Sequence, residues 1–139
     1  MRLVLDTNVV ASAMLWGGVP HRLLQARHER RIELYTSAPM LAELTDILTR
    51  AKFARKIAGS MLSVDELVER YAELVQVVRP GPIARTAPDV DDDVVIATAL
   101  AAQANWLVTG DRALRSVERC QDVRIISVAE ALEALAANR

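Results

Sequence analysis

The chain reads as one α/β domain with a central parallel sheet of about five strands. Three observations predict this. Short, nearly continuous apolar runs alternate with longer stretches of helical period. The apolar runs suit parallel strands buried on both faces. No repeat, linker or low-complexity tract interrupts the 139 residues, a length that fits one domain with a proper core, so 1–139 is read as a single unit.

The elements follow in order. Arg2-Leu3-Val4-Leu5 predicts the first strand, and Val9 to Leu15 a helix interrupted at Gly17-Gly18-Val19-Pro20. A second helix is expected from about His21 to Arg30, and Glu33-Leu34-Tyr35-Thr36 is the next strand. Ser37 reads as an N-cap with Pro39 in the first turn, opening a helix whose Leu41, Leu44, Ile47 and Leu48 form an apolar stripe. A small helix is expected over Phe53 to Ala58. Ser63-Val64-Asp65-Glu66 is a capping box opening the next one. Gln76-Val77-Val78 predicts a strand, Ile83 to Pro88 a loop, and Val94 to Ala104 an Ala-rich helix. Trp106-Leu107-Val108 and Arg124-Ile125-Ile126 complete the strands, and Ser127 to Glu130 caps a final helix ending near Ala137.

Four stretches place a carboxylate just beyond an apolar run: Asp6, Glu43, the string Asp89 to Asp93, and Asp111. In an open parallel sheet, ligands sit beyond the carboxyl ends of the strands where strand order reverses. If the first and fourth strands are neighbours, Asp6, Asp93 and Asp111 converge there, and Glu43 reaches the crevice from the side. Each acid alone has a structural explanation as a turn former, a helix cap or a solvated helix residue. Their conjunction at one sheet edge argues for a site. Clustered carboxylates raise one another's pKa unless a cation neutralises them, and oxygen-only ligands suit Mg²⁺ or Mn²⁺. An acid-lined cation site points to hydrolysis of a phosphate ester.

Charge adds a direction. The net charge of −1 excludes a wholly basic nucleic-acid coat, but Lys and Arg outnumber acids eight to four between Arg22 and Lys56. Arg22, Arg27, Arg30 and Arg31, or Arg50, Lys52, Arg55 and Lys56, could track a phosphate backbone; solvated helix faces are the plainer reading of each. Trp16, beside two glycines, could stack an unpaired base, although packing a helix end is the commoner role. The lone Cys120 rules out an internal disulfide, and the longest apolar stretch is too short to span a bilayer. A cytoplasmic protein without membrane association is expected.

The same residues carry a family resemblance. Leu5-Asp6-Thr7-Asn8-Val9-Val10, the stretch Ser37 to Leu44 continuing to Arg50, Lys52 and Phe53, Asp91-Asp92-Asp93 with Ile96-Ala97, and Leu107-Val108-Thr109-Gly110-Asp111 resemble, in order, the four acidic motifs of a PIN domain. The chain is most similar to the PIN nucleases (VapC-like) that serve as toxins of toxin–antitoxin pairs. The resemblance implies a three-layer α/β/α sandwich and a ribonuclease with Mg²⁺ or Mn²⁺ held by Asp6, Glu43, Asp93 and Asp111. Asp92 is a further candidate ligand; Asp93 is preferred for its offset from Ile96-Ala97. Asn8 and Thr109 are candidates to hydrogen-bond a ligating carboxylate or a metal water. Arg22, Arg50 and Lys52 are the substrate-binding candidates. RNA, a small antitoxin protein and a homodimer partner are the implied partners. Two other readings remain: a PIN-like RNA- or protein-binding module that does not cleave, and a haloacid-dehalogenase-like phosphatase. The second lacks the expected second Asp, because position 8 is Asn8.

Overall fold

Leu3, Val4 and Leu5 of β1 (Arg2–Leu5) are all buried, as a parallel strand covered on both faces requires. A computed structural model of the chain describes residues 1–83 and 85–137, leaving out the Val90 side chain. One position of the expected loop, 84, lies outside the described residues.

After β1 come α1 (Thr7–Leu15), α2 (His21–His28), β2 (Glu33–Thr36), α3 (Ala38–Leu48), a 3-10 turn at Ala51–Phe53, α4 (Ala54–Ser60), α5 (Val64–Leu74) and β3 (Val75–Val77). The second half holds α6 (Val90–Ala101), β4 (Trp106–Val108), α7 (Arg112–Arg115), β5 (Arg119–Cys120), β6 (Val123–Ile126) and α8 (Val128–Ala137). The sheet order is β3-β2-β1-β4-β6-β5. Among the described residues, five strands are parallel and only the two-residue β5 runs antiparallel, against β6.

Strand periodicity divides the core between the two faces. Leu3, Leu5, Leu34, Trp106 and Val108 pack with the helices α1, α2, α3, α5 and α8. Val4, Tyr35 and Leu107 pack with α6 and with Leu114 of α7. The result is the expected three-layer α/β/α sandwich. The chain travels from β1 outward to β3, then returns to place β4 beside β1, and its crossing helix changes face at that reversal. Opposite travel on opposite faces is what a constant crossover hand requires.

The structure moves several boundaries. The helix expected from Val94 begins four residues earlier, at Val90. Asp89 caps it by accepting a 3.0 Å hydrogen bond from the Asp91 backbone N–H, and three acids in its first turn complement the helix dipole. It ends at Ala101, before Gln103 turns left-handed at φ 51°. Ser37 occupies the N-cap position of α3 but makes no capping bond. Its hydroxyl instead meets Thr98 Oγ1 at 2.8 Å, tying the start of α3 to α6. The capping boxes at Ser63–Glu66 and Ser127–Glu130 form as expected. Neither α7 nor β5 was expected: each is too short to show a period.

Candidate functional site

Asp6 leaves the end of β1 and caps α1. One carboxylate oxygen accepts the Thr7 backbone N–H at 2.8 Å, and the other accepts the Thr109 hydroxyl at 2.6 Å. Thr109 follows β4, is fully buried, and its oxygen also accepts the Asp111 backbone N–H at 3.1 Å. A single threonine therefore joins the turns beyond two neighbouring strands. Asp111 caps α7 by accepting the backbone N–H groups of Ala113 and Leu114 at 2.8 and 3.2 Å.

Electrostatics shows which carboxyls share the crevice. Burial pushes Asp6 above the usual carboxylate range; its hydrogen bonds from Thr109 and Thr7 oppose this, and the Asp111 charge adds to it. Glu43, on α3, is raised by partial burial and then by the charges of Asp6 and Asp91, against the pull of Arg50. Asp92 is pushed up to about 6, first by burial and then by Asp111, Asp6, Asp89 and Glu43. Four segments distant in sequence thus bring Asp6, Glu43, Asp92 and Asp111 within electrostatic reach of one another near the strand-order reversal.

Asp93 is elsewhere. It is buried against the loop before α6, where one oxygen accepts the Thr86 and Ala87 backbone N–H groups at 3.1 and 2.7 Å. Its other oxygen pairs with Arg85 at 3.2 Å. These partners hold it below the usual carboxylate range, with the Ala87 N–H the largest influence. The expectation that Asp93 leads the third acidic motif therefore meets a different geometry. Because α6 begins at Val90, Asp92 projects toward the other acids and Asp93, about 100° further round the helix, faces the loop.

The donor set suits a hard divalent cation: oxygen ligands only, carboxyls raised by burial and then by one another's charge, and the buried Thr7 hydroxyl beside them with no hydrogen-bond partner. That hydroxyl lies close enough to Asp6 and Glu43 to favour their ionised forms, yet in bonding geometry with neither. Among the described residues, no three Asp, Glu, His or Cys side chains stand close enough to enclose an ion as they are. Thr7 was not singled out from sequence; its position directly after Asp6 was the available signal.

The remaining candidates separate by location. Asn8 is exposed in the first turn of α1 and, with Lys52 and Asp111, lines a groove leading from the acids. Arg50 is near enough to Glu43 to stabilise its charge. Arg22 borders a different cavity, with Leu132 and Leu135 of α8. Arg27 and Arg31 are used internally, donating to the carbonyls of Leu74 and Leu135, both at 2.8 Å. Between Met61 and Val75, Leu67 and Tyr71 are core residues and Leu62, Val64, Val68, Leu74 and Val75 pack on the core, whereas Met61 is 89% exposed.

Among known protein families, the model described as PIN domain matches residues 2–113. No curated protein and no solved structure matches the chain.

Proposed function

The chain belongs to the PIN-domain family, and from that premise we propose that it is a metal-dependent endoribonuclease acting as the toxin of a toxin–antitoxin pair. The observation that carries the proposal is the convergence of four carboxyls from separate segments, with their charges acting on one another, beyond β1 and β4. Asp6, Asp92, Asp111 and Glu43 would hold Mg²⁺ or Mn²⁺, with Asp92 taking the place first expected of Asp93. The bound ion would supply an activated water and neutralise charge on the scissile phosphate. Thr109 fixes the Asp6 carboxylate and, through the Asp111 N–H, the turn that carries the fourth acid. Asp6 and Asp111 are held by backbone N–H groups, so Glu43 and Asp92 are the carboxyls left to accept a proton from the attacking water.

The same reading gives the protein a small antitoxin partner covering the crevice, pairing with a second copy, and a cytoplasmic setting. The single cysteine suits a reducing compartment, and no helix among the described residues is long and apolar enough to cross a membrane. One observation favours a non-cleaving PIN-like binding module instead: the acids do not close on an ion as they stand. Cleavage of RNA by purified protein in Mn²⁺, abolished by EDTA and by Asp6→Asn, separates the two. Binding without turnover, or cleavage unchanged in the variant, would sink the nuclease assignment.

A further inference from the structure

The groove beside the acids has a floor that hydrolysis alone does not explain. It encloses about 700 Å³ and runs from Asp111 and Asn8 past Ser12 to Trp16, Lys52 and Phe53. Trp16 is 37% exposed, whereas the other tryptophan, Trp106, is buried in the core. Phe53 supports Trp16 edge-on, with ring centroids 5.6 Å apart and planes at 62°. Two cations flank the pair. Lys52 Nζ lies over the Phe53 ring, 4.9 Å from its centroid. Lys56, just outside the groove lining, holds its Nζ over the Trp16 ring at 5.5 Å, where an arriving base would displace it.

We propose that this groove is a subsite for one unpaired nucleobase of single-stranded RNA, stacked on Trp16, with the adjoining phosphates held by Lys52 and Lys56. The inference rests on the nuclease reading and adds to it a place where one base is held. Three physical points favour this occupant. A crevice of carboxyls repels a polyanion, so a strand needs cations close by, and the chain's only two lysines are both here. An exposed indole beside ammonium groups matches how single strands are gripped: stacking for bases and charge for phosphates, with little regard to sequence. A base still paired in a duplex cannot present its face to Trp16, so the groove selects strands or loops whose bases can splay out.

The test measures binding apart from cleavage. A labelled ten-nucleotide oligoribonucleotide without self-pairing is titrated with protein in EDTA and low salt, and affinity is read by fluorescence anisotropy. Trp16→Leu keeps an apolar side chain against Phe53 but removes stacking, and should weaken binding by roughly tenfold. Trp16→Phe should restore affinity to within about threefold, since it keeps an aromatic face. Lys52→Gln with Lys56→Gln should flatten the salt dependence, and a duplex of the same sequence should bind weakly and ignore Trp16. Thermal melts identify any variant that has lost its fold; the Phe and Leu pair then decides. Wild-type protein that does not bind, or Trp16→Leu binding as wild type (as when the groove takes a partner protein's side chain), overturns the subsite. Trp16-dependent binding without cleavage in Mn²⁺ keeps the subsite and removes the nuclease reading. Cleavage with a Trp16-independent affinity does the reverse.

Discussion

Asp92 and Asp93 are neighbours in the first turn of α6, and they belong to electrically opposite regions. Asp92 faces a crevice where Asp6, Glu43 and Asp111 add like charge, and it is driven up to about 6. Asp93 faces a loop that supplies two backbone N–H groups and a guanidinium, and it is driven down. The difference teaches that an acid's role here follows from what the backbone offers it. Asp93 is tied to the fold by donors and a cation that neutralise its charge, while Asp92 meets only like charge and is left for a ligand.

Exchanging the charges one at a time gives the largest effects. Asp6→Asn or Asp92→Asn should lower Mn²⁺-dependent RNA cleavage by at least about 100-fold. Asp93→Asn, assayed well below its melting temperature, should keep cleavage within a few-fold of wild type. If Asp93→Asn abolishes cleavage while Asp92→Asn does not, the two residues have been assigned to the wrong regions.

Stability should move in the opposite sense. In EDTA at pH 7, Asp92→Asn removes a repelled charge and should raise stability by about 1 kcal/mol, a figure reduced for solvent screening of a half-exposed carboxyl. That corresponds to roughly 3–5 °C in Tm. Asp93→Ala strands two loop N–H groups and should lower Tm by several degrees, with protease cutting first in the segment before α6. Calorimetry and limited proteolysis check both.

The pH dependence carries the same contrast. For Asp92 the folded pKa of about 6 exceeds the ordinary 3.8. Between these values the folded state retains a proton that the unfolded chain has released. The stability of metal-free protein should therefore fall as pH rises from about 4 to 6, and Asp92→Asn should flatten that slope. For Asp93 the folded value lies below 3.8. Its contribution is complete above that value and is lost as pH drops through the depressed one, so Asp93→Asn should blunt acid unfolding. Melts from pH 3 to 7 in EDTA would reveal whether the slopes exchange places.

This also marks what the sequence made legible. Asp6 and Asp111 follow strands, and a strand end is fixed by the apolar run before it; the order of β1 and β4 then brings them together. The helical acids were less accessible. Which of three consecutive aspartates faces the crevice depends on helix phase. With a start expected at Val94 all three lie outside the helix and have no phase, whereas a start at Val90 brings them into it. The loop that captures Asp93 has no periodicity, so nothing in the sequence signalled its N–H donors. Thr109 was legible as a partner for a carboxylate, whereas its second bond to the Asp111 N–H depends on a turn only the fold displays. Thr109→Val should remove both contacts and lower cleavage by about tenfold, with Thr109→Ser recovering most of it.

The smallest effect tests the loop side of the comparison. Arg85 pairs with Asp93 and donates to the Ala87 and Pro88 carbonyls at 3.3 and 3.1 Å, yet its side chain is 62% exposed. Exposed ion pairs stabilise little and are screened by salt, whereas buried backbone N–H groups must have a partner. If the loop is held mainly by the N–H bonds, Arg85→Gln should shift Tm by only about 1–2 °C, with the shift vanishing in 0.5 M salt. A drop as large as that of Asp93→Ala would show instead that the guanidinium organises the loop, and that charge pairing separates Asp93 from Asp92.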